Sequence, residues 1–200
     1  YSWYSLGEPC LDGLNHLVKL RSVSKIYEFV ALFKIIDYLH EKNWLVVNIN
    51  GKSYLEFIPS ILSFSRDNFK LTLYYEKEIY SYKETTSHLD LVDMWHFKSA
   101  ISDYQYWKPD FVLMFENNNK TNYLILDAKY SSSWIIKEYS LPDLFDKYFM
   151  KMAVYDAYNQ CLKQDAILGV IALFPDKNTL PIYMQNWGKH GIYKTPIRLP

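Results

Sequence analysis

Residues 108–130 read KPDFVLMFENNNKTNYLILDAKY. Two apolar runs, 111–115 and 123–126, flank the polar cluster 117–120. Apolar runs bounded by turn residues read as strands, here 109–116 and 121–129. Neither run alternates cleanly, so both strands are expected to be buried on two faces, at the middle of a sheet. A hairpin closed around residues 117–120 sets Glu116 opposite Thr121 and Phe115 opposite Asn122. Carried outward, the same ladder brings Asp110 opposite Asp127. Directly opposed Cβ atoms lie about 4.5–5.5 Å apart, and like charges so placed destabilise a sheet. A divalent cation removes the conflict, because hard cations take oxygen ligands. Side chains alternate along a strand, so Lys129 shares the face of Asp127 while Ala128 points away. Two acids and a lysine then converge at the end of a buried strand, where charge is costly unless paired or metal-bound. The plainer alternative is an Asp127–Lys129 ion pair with Asp110 opening a turn after Pro109. A one-residue slip would break the register.

Upstream, Ile26, Phe29, Val30, Phe33 and Ile36 fall at helical spacing, predicting a helix over 24–42 with Ser24 as N-cap and a turn at 41–43. Residues 44–62 read as short strands or loop, with turn signals at Asn50-Gly51 and Pro59. Leu71, Leu73 and Tyr75 alternate with polar neighbours, predicting a strand that continues toward Ile79. Leu89, Val92, Trp95 and Phe97 suggest a short helix. Downstream, 131–142 reads as a connection. Leu144, Tyr148, Met152, Tyr155 and Tyr158 predict a helix over 143–163. A strand over 166–174 follows, and 182–184 is a candidate for another. The tail, with Pro196 and Pro200, reads as loop, and residues 1–20 as irregular or weakly helical. This order predicts an α/β or α+β fold, a mixed central sheet flanked by helices.

Composition narrows the function. The 200 residues suit a single domain. Half are hydrophobic and 22% charged, which excludes overall disorder. No stretch approaches the length of uncharged apolar sequence that a membrane span needs. Cys10 and Cys161 are too few for a disulfide scaffold or a zinc cluster, which favours a reduced, cytoplasmic setting. His88 and His96 lack metal-ligand spacing, and the six glycines form no phosphate loop. Lys plus Arg and Asp plus Glu both number 22, so no whole-domain field gathers nucleic acid. With only Arg21, Arg66 and Arg198 as arginines, phosphate contacts would fall mostly to lysine.

Pro109-Asp110 followed by Asp127-Ala128-Lys129 after an apolar run resembles the PD-(D/E)xK nuclease signature. The order of helix, three strands, helix and strand over about 24–174 is similar to that superfamily's restriction-endonuclease-like αβββαβ core. Asp127-Ala128-Lys129-Tyr130 looks more narrowly like the McrC-type restriction nucleases. The resemblance implies Mg²⁺-dependent hydrolysis of DNA phosphodiesters, with Mn²⁺ able to substitute. It implies that Asp110, Asp127 and the Ala128 backbone carbonyl bind the metal. Lys129 would orient the attacking water, and Glu28, in Tyr27-Glu28-Phe29, would serve as an auxiliary catalytic and metal-binding acid. Several branches carry Gln-x-x-x-Tyr on the second helix. Here Lys151-Met152-Ala153-Val154-Tyr155 lacks the glutamine, leaving Lys151 and Tyr155 as candidate substrate contacts on one helix face. The implied partners are DNA, an AAA+ motor subunit or a DNA-recognition domain, and a second copy of the chain, without a membrane. The implied setting is restriction or antiviral defence, with the domain, residues 1–200, cut from a longer protein. Two rival expectations are a catalytically silent binding module and a nuclease for RNA or branched DNA.

Overall fold

The computed structural model describes residues 23–50, 58–81, 90–94, 106–117, 120–156, 158–176, 182–187 and 190–197. Among the described residues, helix α1 (Val23–Glu41) comes first, then strands β1 (Leu45–Asn50), β2 (Ile61–Arg66), β3 (Phe69–Tyr75), β4 (Ile79–Tyr80), β5 (Asp90–Asp93), β6 (Tyr106–Trp107), β7 (Phe111–Asn117) and β8 (Lys120–Ala128). A second helical segment spans 133–150. Strands β9 (Met152–Asp156), β10 (Cys161–Lys163), β11 (Ile167–Pro175), β12 (Ile182–Trp187) and β13 (His190–Ile197) complete the order. The fold is α+β, with a mixed central sheet.

That sheet has eight strands in the order β1-β2-β3-β7-β8-β11-β13-β12. Its neighbours are antiparallel except at β11, which runs parallel to both β8 and β13. β7 and β8 lie at its centre, as their unbroken apolar runs predict. Their register runs from Phe111↔Leu126 to Asn117↔Lys120 without a bulge. The turn is tighter than the sequence suggests, because Asn117 and Lys120 themselves pair; residues 118 and 119 lie outside the described residues.

Alternation along these strands feeds two cores. Phe111, Leu113 and Leu126 pack with Phe64, Leu71, Leu73 and Tyr75 under α1, which buries Tyr27, Phe29, Ala31 and Leu32 against them. On the opposite face Val112, Tyr123 and Ile125 pack beneath Ile136, Leu144, Tyr148 and Phe149 of the second helical segment. The sheet is therefore covered on both sides, which is why its middle strands are apolar on both faces. α1 ends where Asn43 takes φ 61°, a left-handed conformation that Asn tolerates better than most residues.

Several expectations are corrected. Residues 143–163 do not form one helix. The helical segment starts ten residues earlier and ends at Met150, alternating α-turns (Ser133–Ile135, Leu141–Leu144) with wider π-turns (Ile136–Ser140, Phe145–Met150). Pro142 lies inside it; proline lacks an N–H and crowds the carbonyl four residues back, and the first wide turn stands just ahead of it. Residues 152–156 are a strand, buried at every position, in a three-stranded sheet of order β10-β9-β5. Leu144, Tyr148, Met152 and Tyr155 mimic helical spacing across this boundary. Val92 likewise belongs to a strand, β5, rather than a helix; Leu89, Trp95 and Phe97 lie outside the described residues, as do Cys10, Gly51, His88 and His96. The strand through Tyr75 stops at Glu76, and Ile79 joins β4, which pairs with β6. As far as Ile197 the tail is strand rather than loop, β13 pairing along β11 with Pro196 opposite Phe174; Pro200 lies outside the described residues. No helix among the described residues is long and apolar enough to cross a membrane.

Ile125 and Met152 are fully buried, one in the central hairpin and one in the strand that replaces the expected helix. Ile125→Ala and Met152→Ala should each lower the unfolding free energy by about 2–5 kcal/mol in urea titrations. A loss under about 1 kcal/mol from either would contradict its placement.

Candidate active site

The β7–β8 ladder positions the residues just beyond it. Asp110 stands one step before Phe111 and Asp127 one step after Leu126, so the two carboxylates meet at the open end of the hairpin. The Ala128 N–H donates to Asp110 Oδ2 at 2.6 Å. The Glu76 N–H donates to the Asp110 carbonyl at 2.8 Å, tying the end of β3 to the same point. The Lys129 N–H donates to the Leu173 carbonyl at 2.8 Å, which fixes Lys129 against β11. Its ammonium pairs with Asp127 Oδ2. Asp127 is only 4% exposed, whereas the Lys129 side chain reaches solvent.

Burial, then the Asp127 and Glu28 carboxylates, push the Asp110 carboxyl up to about 8; the Ala128 N–H and the Lys129 ammonium offset this only in part. Burial also raises Asp127, opposed chiefly by Lys129. Burial alone would lower Lys129, but Asp127 and Asp110 hold it above the usual lysine range. The pair thus favours holding a proton.

Two flanks complete the site. From α1, Glu28 accepts from Lys25 Nζ at 2.5 Å and from the Tyr75 hydroxyl at 3.3 Å. Lys25 also pairs with Glu76, and Lys108 meets Glu76 at 3.0 Å. The Tyr27 and Tyr130 rings, 5.8 Å apart, seat α1 against the residues that follow β8. From the second helical segment, buried Tyr148 lies close enough for Asp127 to act on it electrostatically, and the charges of Lys147 and Asp143 act on Asp127. Lys147 lies 5.3 Å over the Trp107 ring and 5.6 Å over the Tyr148 ring.

The structure therefore brings together Asp110, Asp127, Ala128, Lys129 and Glu28. It does not unite Lys151 and Tyr155. Lys151 sits in the turn after the helical segment, paired with Asp146 and 5.8 Å over the Trp107 ring. Tyr155 is buried in β9, opposite Asp90 and Leu162. Their shared helix face disappears because residues 152–156 are extended. Sequence reading missed Lys25, Tyr75, Glu76 and Lys108 on one flank and Asp143, Lys147 and Tyr148 on the other. Lys25 and Glu28 carry an i, i+3 signal, and Asp143 and Lys147 an i, i+4 signal once the helix is placed earlier.

Among the described residues, no group of three or more His, Cys, Asp or Glu side chains forms a metal cage. The acids at the site instead come as two pairs, Asp110 with Asp127 and Glu28 with Glu76. Comparisons with family models, with curated proteins and with solved structures found no match to this chain.

The Asp110 carboxyl binds its proton more tightly folded than unfolded, so stability is lost as pH rises from about 4 toward about 8. In EDTA, Asp110→Asn should therefore melt higher than the native chain near neutral pH, by on the order of 2 kcal/mol. The advantage should shrink toward pH 4. Thermal melts across that range check this, and an Asn variant less stable at every pH contradicts the opposed-carboxylate geometry.

Proposed function

We propose that this chain is a metal-dependent nuclease domain of the PD-(D/E)xK type that hydrolyses DNA phosphodiesters. The observation that carries the reading is the convergence of Asp110, Asp127 and Lys129 at the open end of one central hairpin. The order α1, β3, β7, β8, second helical segment, β11 supports a restriction-endonuclease-like core, because it repeats the helix, three strands, helix and strand of that superfamily.

The donor set fits a hard divalent cation. Two opposed carboxylates, one raised enough to hold a proton at neutral pH, offer oxygen ligands whose repulsion such a cation would relieve. Asp110, Asp127 and the Ala128 carbonyl would hold Mg²⁺, with Mn²⁺ able to replace it. When bound, that ion polarises a phosphoryl oxygen and lowers the pKa of a water. Lys129, half-buried beside Asp127, orients the attacking water and stabilises charge developing on the phosphate. Tyr148, buried on the side of the second helical segment, helps keep water from the Asp127 carboxylate. Lys147, held over two rings, adds positive charge on the side of the second helical segment. From α1, Glu28 adds negative charge beside Asp110 without touching the ion.

The neutral balance of charge limits how strongly this domain grips DNA by itself. Delivery by an AAA+ motor subunit or a DNA-recognition domain, in a cytoplasmic restriction or anti-phage system, meets that limit. Two copies would serve the two strands of a duplex.

Supercoiled plasmid incubated with Mg²⁺ or Mn²⁺ tests the reading. The native chain should nick or linearise it, EDTA should stop the reaction, and Asp110→Ala, Asp127→Ala or Lys129→Ala should each lower the rate by at least about 10²-fold. Cleavage that survives EDTA, or near-native rates in a folded variant, removes the role assigned to that group.

A further inference from the structure

Beside the Asp110–Asp127 pair, two carboxylates converge on one ammonium. Lys25 Nζ donates to Glu28 Oε2 at 2.5 Å and to Glu76 Oε1. It stands 5.1 Å from the centre of the Tyr75 ring, whose hydroxyl donates to the same Glu28 oxygen at 3.3 Å. Burial alone would lower the Lys25 pKa; Glu28, Glu76 and Tyr75 overcome this and hold it far above the usual lysine range. The Lys25, Glu28 and Glu76 side chains are 21%, 14% and 17% exposed, so the cage is largely shielded from water. Glu28 acts electrostatically on Asp110, and Glu76 is tied to Asp110 through its own N–H. Cage and carboxylate pair are one electrostatic unit.

Glu76 adds a second observation. Its φ is 55°, a left-handed conformation that is strained for a residue with a Cβ. Such strain persists where the surroundings over-determine it. Here the backbone turn aims the Glu76 carboxylate at Lys25 and Lys108 while its N–H reaches the Asp110 carbonyl.

Carboxylates are the donors a hard divalent cation takes, yet here a lysine lies between two of them. We propose that Lys25 is the second cation of this site, supplied by the chain itself, so that Asp110 and Asp127 bind a single divalent ion. The proposal rests on the metal-dependent reading above. Lys25 acts as a positioning residue: it holds Glu28 and Glu76 in place and balances their charge with or without the ion. Removing its ammonium leaves an oxygen cage that takes a second divalent ion.

Titration of free Mn²⁺ by electron paramagnetic resonance reads the stoichiometry. The native chain should bind one Mn²⁺ and Lys25→Met two, with the second lost again in the double variant Lys25→Met, Glu76→Gln. Lys25→Met should also melt below the native chain in EDTA and gain more from Mn²⁺. Two Mn²⁺ on the native chain, or one on folded Lys25→Met, overturns the proposal and leaves the metal-dependent reading intact. No Mn²⁺ on either chain overturns both. Should Lys25→Met fail to fold, Glu28→Gln in the native background still decides. Its Mn²⁺ affinity should stay within about threefold of native, and a loss beyond about tenfold would put Glu28 on the ion and overturn the proposal.

Discussion

Asp110 and Asp127 face each other because seven consecutive residue pairs of β7 and β8 lie in register, and neither can move without breaking that ladder. The bond from the Ala128 N–H to the Asp110 carboxylate adds one more link beyond the last pair. The contact it enforces is repulsive. The fold tolerates it because the hairpin is locked at the centre of an eight-stranded sheet with a core on each face. Burial on both faces gives the ladder its stability, and the same burial raises the two carboxyls. The stability of the ladder and the raised carboxyls thus come from one arrangement, and the cost of opposed charge is met by cooperative packing around it.

The surroundings are arranged about that pair. β11, parallel to β8, fixes the backbone of Lys129 through Leu173. α1 contributes Lys25 and Glu28, and the end of β3 contributes Tyr75 and Glu76. The second helical segment lays Tyr148 and Lys147 over the opposite side. Four chain segments far apart in sequence therefore meet at the mouth of one hairpin, and opposite charges alternate around it: Lys129 on Asp127, Lys25 between Glu28 and Glu76, Lys108 on Glu76. This local alternation coexists with an even overall charge balance.

The central hairpin was legible because its signal is local. Two apolar runs around a polar turn fix the register, and register alone brings Asp110 to Asp127 and sets Lys129 on the same face. α1 was legible for a similar reason, its apolar spacing being sustained over several turns. The region after Pro142 was not. Leu144, Tyr148 and Met152 satisfy helical spacing, but β9 is buried on both faces and so carries no alternation to mark it as a strand. That misreading hid the face on which Asp143, Lys147 and Tyr148 approach the site and created an illusory link between Lys151 and Tyr155. The Lys25 cage was illegible for a different reason. Glu76 reaches Lys25 and Lys108 only because the fold brings the end of β3 beside α1 and β7, and the left-handed turn at Glu76 has no glycine to announce it.

In the proposed metal site the proton held between the opposed carboxylates gives way to a divalent ion. Calorimetric titration with Mg²⁺ near pH 7, repeated in two buffers of different ionisation enthalpy, measures the protons released on binding. Release of close to one proton per ion, abolished in Asp110→Asn, is expected. Binding without proton release, or no binding by a folded chain, would contradict that exchange.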